Sequence, residues 1–235
     1  MATKRDGKEA VFEKLESYTL RGRIAEQLRH AILNGTLQEG QRLVERKLAS
    51  EFGASLTAVR EALIELETEG FVVKRTNSAT VVVKLSPEET EKIFEVRRLL
   101  ESYVFEQAAR LVSSEQLAKL EQAYNRLLEA AQRGDGKAFV QLDFEWHSMI
   151  WNIVGNEYLS ASLRRTVVPL FALSAVHVAS RPQVNLIQDA SSHRPLLEAL
   201  RKHDPEGARK AFAEALNDWK STTSSYIFGR KSSPA

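Results

Sequence analysis

The chain reads as mainly α-helical and bipartite: an N-terminal winged helix-turn-helix with a small β-hairpin wing, then a C-terminal all-α antiparallel helical bundle. Three observations predict this. Two short amphipathic segments, 48–52 and 56–66, are separated by Gly53 and Ser55. Two runs rich in β-branched residues, 71–75 and 80–84, follow them. From residue 87 to about 228 no strand is legible, and the apolar residues recur at helical spacing. The 235 residues are 43% apolar and 27% charged, the balance of a globular chain with length for about two domains.

Residues 1–18 are charged and aperiodic and are expected to form a mobile arm. The first domain is expected over 19–85. It opens with a helix over 19–33 that turns Ile24, Leu28, Ala31 and Ile32 inward. Next come Leu48, Ala49 and Phe52 on one helical face; Gly53 suits a helix C-terminus, and Ser55 can cap the following helix. That second helix buries Val59, Ala62, Leu63 and Leu66 and presents Ser55, Thr57 and Arg60 near its start. There, hydroxyls, backbone N–H groups and a cation can meet phosphates and base edges in a major groove. An ordinary helical hairpin has the same spacing. The two strands that follow favour a wing, with Lys74, Arg75 and Asn77 at its tip.

Ser86, Pro87 and Glu89 form a strong helix start at the domain junction, and the short linker predicts mechanical coupling between the two parts. The second domain, 86–228, is expected to hold six helices at about 87–111, 113–133, 136–154, 157–180, 186–202 and 205–228. Pro169 is expected to kink the fourth of these. The basic, Ser-rich residues 229–235 are expected to be disordered.

No stretch approaches the ~18 apolar residues of a membrane span, and no secretory apolar core follows the N-terminus, so a cytoplasmic location is expected. There is no cysteine, hence neither a disulfide framework nor a thiolate metal site. Charge is a weak witness for nucleic acid. Residues 1–84 carry 14 Lys and Arg against 12 Asp and Glu, and the remainder is balanced. Arg42, Arg46, Arg60, Lys74 and Arg75 can still converge on one face, and a dimer doubles the phosphate contacts.

The bundle carries polar residues where its apolar stripes predict none. Phe139, Asp143, Trp146, His147, Ile150 and Val154 share one helix face, which points Asp143 and His147 inward four residues apart, a spacing that can present two ligands to one metal. His193 shares a face with Leu196, Leu197 and Leu200, and Arg97 lies in a row with Ile93, Leu100 and Val104. Asp143 and His147 can equally be a hydrogen-bonded core pair, and Arg97 a buried partner of Glu101. Together they favour a polar cavity, because several buried ionisable groups are costly unless they meet one another or a ligand.

Residues from about 19 to 84 resemble the winged helix-turn-helix of the GntR family of bacterial transcription regulators. The resemblance lies in Asn34-Gly35-Thr36-Leu37-Gln38-Glu39-Gly40-Gln41-Arg42-Leu43 and in the Ser-x-Thr-x-Val-Arg-Glu-Ala-Leu motif that begins at Ser55. It implies DNA contacts at Arg46, Ser55, Thr57, Arg60, Thr76 and Asn77. Four positions depart from the pattern: Glu39 for Pro, Ala58 for Pro or Thr, Asn77 for Gly, and Leu56 for an Arg that reads guanine. The bundle resembles the FCD ligand-binding domain of the FadR subfamily. The matching residues are Glu95-Val96-Arg97-Arg98-Leu99-Leu100-Glu101, Asp143-x-x-x-His147, Gly155-Asn156 and His193-x-x-Leu196-x-x-Ala199-Leu200. This implies a metal held by Asp143, His147 and His193, with Ala215 where a fourth imidazole is usual. Zn²⁺, Mn²⁺ or Ni²⁺ would suit such donors. Asp218 and His177 are weaker substitutes. It also implies a small carboxylate-bearing effector near Arg97, His147, Asn156 and His193.

Three functions are consistent with these features. The favoured one is an effector-responsive, homodimeric regulator of a palindromic double-stranded DNA operator, with no membrane partner. The dimer surface is expected to draw on Phe94, Leu99, Tyr103 and Val104. The others are a metal-dependent enzyme, for which no separate general base is evident, and a constitutive DNA-binding protein whose bundle only dimerises.

Overall fold

In the computed structural model, residues 20–75, 79–180 and 185–227 are described. The expected arm, the wing-tip residues Thr76 and Asn77, and the tail at 229–235 lie outside them. The chain begins with α1 (Leu20–Leu33), whose Ile24, Ala25, Leu28 and Ile32 are buried, and continues through β1 (Arg42–Leu43), α2 (Glu45–Phe52) and α3 (Leu56–Thr68). Gly53 ends α2 in the left-handed conformation, φ 59°, where its N–H can reach the last carbonyls of the helix. The Ser55 hydroxyl then accepts the Ala58 N–H at 3.1 Å and starts α3. Val59, Ala62, Leu63 and Leu66 turn inward against α1.

The wing is β2 (Val72–Arg75) and β3 (Ala79–Val82), and the sheet has a third strand that the sequence reading lacked. β1 pairs antiparallel with β3, Arg42 opposite Val81 and Leu43 opposite Thr80, giving the order β1-β3-β2. Two residues are too few to show a period; β1 exists because β3 has an edge to pair with.

The bundle follows as α4 (Pro87–Leu111), α5 (Ser114–Gln132), α6 (Gly136–Ile153), α7 (Glu157–Ser180), α8 (Leu186–Ser191), α9 (His193–Arg201) and α10 (Pro205–Ile227). Ser86 and Glu89 form a reciprocal capping box at the start of α4, as do Ser113 and Gln116 at α5. The expected fifth helix is two, α8 and α9. Ser192 keeps helical torsions, φ −65° and ψ −19°. Pro195 supplies no N–H to the Ser191 carbonyl and its ring crowds that oxygen, so α8 ends there.

α7 runs through Pro169 without interruption. The proline leaves the Arg165 carbonyl without its helical donor, and Gly70 approaches that carbonyl from the winged domain. A Cβ on Gly70 would lie 2.8 Å from the Arg165 oxygen, and φ there is +86°. Next to it, fully buried Phe71 meets Phe144 of α6 edge-on, with centroids 6.1 Å apart. Arg29 of α1 holds Glu69 through two hydrogen bonds, each 2.8 Å. One hydrophobic core thus runs from α1 and α3 into α6 and α7. Among the described residues no helix is long and apolar enough to cross a membrane.

Candidate functional site

On the winged domain, Arg46, Ser55, Thr57, Arg60 and Lys74 are all exposed. Arg60 Nε donates to Glu45 Oε2 at 2.6 Å, so the guanidinium at the second turn of α3 is tied to the first residue of α2, beside Arg46. Ser55 spends an oxygen lone pair on the helix cap, which leaves its O–H for an outside acceptor. The Lys74 backbone N–H is held by Glu67 at 3.2 Å. Arg75 ends β2.

In the bundle, α6 carries Asp143 and His147 one turn apart, and His193 is the first residue of α9. One ligand atom from each lies within 4.8 Å of the others. The back of each imidazole is engaged. His147 Nδ1 is 2.9 Å from Glu101 Oε1, and His193 Nδ1 donates to the Asp189 carbonyl at 3.1 Å. Each ring therefore turns Nε2 toward Asp143 Oδ1, His193 at 2.7 Å and His147 at 3.7 Å. Carbonyl or carboxylate partners on the far nitrogen are how ligating histidines are oriented.

Glu101, fully buried in α4, is the hub of this arrangement. It accepts from Arg97 Nε, from His147 and from the Trp151 indole N–H at 2.9 Å. Burial alone would raise its pKa, but Arg97 and His147 outweigh burial and bring it down to about 2. Burial likewise works against ionised Asp143, and His193 reverses it, so the carboxyl sits below its ordinary range. His193 is the complement. Burial disfavours its charge, yet the Asp143 carboxylate beside it raises its pKa. Both of its nitrogens face acceptors, an arrangement that favours the protonated ring. Asp189, half-buried and near Asp143, is pushed up to about 6 by burial and then by that neighbour's charge.

Arg97 is both the buried partner of Glu101 and a member of the polar cluster. Its guanidinium lies over three rings, Phe171 at 5.7 Å, Phe212 at 5.9 Å and Trp219 at 5.4 Å. Two of these flank half-buried Ala215 on α10, so this helix presents aromatic rings to Arg97 where the resemblance expects an imidazole. Asn156, named by the resemblance as an effector contact, lies at the start of α7. It is exposed, and its Oδ1 accepts the Leu159 N–H at 3.1 Å, capping α7. Asp218 is exposed, and the His177 side chain lies outside the described residues. The expected dimer face also divides: Phe94 and Val104 are core, while Leu99 and Tyr103 are exposed. Sequence reasoning saw Glu101 only as the neighbour of Arg97. Its contact with His147 spans 46 residues and leaves no periodic signal.

Two imidazole nitrogens and a carboxylate, converging with their far sides held, fit a divalent transition metal with open positions. Protonated His193 together with the Arg97 guanidinium can instead hold an anion.

Comparison with known proteins agrees with this architecture. Residues 20–82 match the gntR family of bacterial regulatory proteins, and residues 92–218 match the FCD domain. The chain is 25% identical over 204 residues to the HTH-type transcriptional regulator McbR of Escherichia coli K12, covering 86% of this chain and 92% of that one. It is 30% identical over 137 residues to the gluconate operon transcriptional repressor of Bacillus licheniformis, covering 58% and 56%. The solved structure of E. coli McbR/YncC superposes with a TM-score of 0.74 at 23% identity, covering 88% of this chain and 97% of that one. A GntR regulator from Rhodococcus sp. RHA1 gives 0.69 at 19%, covering 89% and 98%. The matched domains and relatives are transcription regulators and not enzymes. The chain belongs to the FCD-domain branch of the GntR family, a bacterial transcription regulator with a winged helix-turn-helix and a helical FCD bundle.

Proposed function

We propose that the chain acts in the cytoplasm as a homodimer on a palindromic operator, and that a small carboxylate-bearing effector in the bundle sets its DNA affinity. The observation that carries this reading is the convergence of Asp143, His147 and His193 on one point, each imidazole held from behind. Arg46, Ser55, Thr57, Arg60, Lys74, Arg75, Thr76 and Asn77 are the residues proposed to meet DNA. Asp143, His147 and His193 would hold a Zn²⁺, Mn²⁺ or Ni²⁺ ion, which when bound supplies a Lewis acid for the effector carboxylate. To hold the ion His193 Nε2 would have to be free of its proton, and the Asp143 oxygen that now faces it would serve as a metal ligand. With no cation, the His193 imidazolium and Arg97 meet the same class of anion directly. The buried indole N–H of Trp146, whose ring packs 4.7 Å from His193, has no hydrogen-bond partner among the described residues.

Regulation then follows from differential affinity. An effector that prefers one arrangement of α6 and α7 shifts the winged domains packed on those helices, and the operator affinity changes by the same coupling energy. The test is fluorescence anisotropy on DNA from the protein's own upstream region, with a panel of small carboxylates in the presence and absence of each metal. Saturable, sequence-selective binding displaced or strengthened by one acid is expected. Absence of selective binding removes the operator reading. Selective binding that no acid or metal changes, with no thermal shift, removes the effector reading.

A further inference from the structure

Leu56 is the first residue of α3, and its side chain is left 38% exposed while Val59, Ala62, Leu63 and Leu66 of the same helix are buried. Single exposed leucines are ordinary on protein surfaces. This one is set apart by its neighbours. Ser55 and Thr57 flank it with exposed hydroxyls, Arg60 lies one turn along on the same face, and Arg60 is tied through Glu45 to the start of α2, where Arg46 is exposed. The first turn of the second helix of a helix-turn-helix is the part that reaches base edges. An apolar side chain there cannot satisfy the donors and acceptors of guanine, cytosine or adenine, and would leave them desolvated and unpaired. Only thymine offers the major groove an apolar group, its C5-methyl.

We infer that Leu56 is a specificity-determining residue that selects thymine at one position in each operator half-site by packing on its methyl group. The inference rests on the operator reading above. It is tested with the full chain by selecting binding sites from a random duplex library, then replacing each thymine of the enriched site by deoxyuridine. Removing one buried methyl, worth about 0.8 kcal/mol, should weaken binding about fourfold per half-site at one position. Leu56→Ala should bind thymine and deoxyuridine duplexes equally there, and Leu56→Arg should move the preference at that position to guanine. An enriched motif in which no deoxyuridine replacement separates the parent from Leu56→Ala overturns the inference and leaves operator binding intact. A library that enriches no motif removes both.

Discussion

Glu101 and His147 sit 46 residues apart in the chain and 2.9 Å apart in the bundle, where one carboxylate oxygen receives both the imidazole and the indole of Trp151. The pair joins α4 to α6 and fixes which nitrogen of His147 faces Asp143. Arg97 takes the other oxygen of Glu101, so the carboxylate has a partner on each side.

Removing that carboxylate leaves Arg97 buried without its counter-ion. Glu101→Ala should cost roughly 3–5 kcal/mol of stability, as breaking one side of a buried ion pair does. Urea unfolding followed by tryptophan fluorescence measures it, and a loss below about 1 kcal/mol would show that the network is not holding the core.

Acid should find the same weak point. Glu101 has its pKa lowered in the fold from 4.5 to about 2, so its contribution to stability is fully present above the unfolded value. That contribution is lost as pH falls through the window from about 4.5 to about 2. Stability measured across this range should fall, and Glu101→Gln should remove part of the slope.

The contact between the two domains predicts a sharp response to one methyl group. Gly70→Ala places a Cβ against the Arg165 carbonyl at a φ of +86°. Strain at such a position costs roughly 1–3 kcal/mol. The variant should unfold earlier in denaturant, and limited proteolysis should cut more readily near residue 85.

Metal content can be read directly. Protein purified without chelator or affinity-tag metal is expected to hold about one transition-metal ion per chain, and His147→Ala to hold none. Metal retained by His147→Ala would place the ion elsewhere, and a metal-free parent would leave His193 and Arg97 as a direct anion pocket.

Leu99 and Tyr103 are 72% and 51% exposed, one turn apart on α4. If this stripe is the surface between two copies, Leu99→Glu should convert a dimer to a monomer in light scattering. A dimer unaffected by Leu99→Glu and Tyr103→Glu would place the interface on another face.

Much of this architecture was legible because it rests on local chemistry. Gly53 and Ser55 mark a helix end and a helix start by conformational preference and side-chain reach, and the Ser86-Pro87-Glu89 start lies within a single turn of backbone. Asp143 and His147 could be paired from helical spacing alone, and His193 joined them by resemblance. What stayed hidden depends on partners far along the chain. β1 needs β3, Glu101 needs His147, and the close approach of Gly70 to the Arg165 carbonyl needs a helix nearly a hundred residues away. The split between α8 and α9 was local and readable at Pro195. The helix-capping role of Asn156 was not drawn from the sequence, because a capping amide and a ligand-binding amide look alike there.

Asp143 and Phe144 are consecutive on α6, so about 100° of helical arc separates a carboxylate in the buried cluster from the ring that Phe71 leans on. A hydrogen-bonded helix does not let neighbouring residues rotate separately. Any roll that recentred the carboxylate would swing the ring by the same angle, so α6 is the axle through which the proposed effector would act on the winged domain.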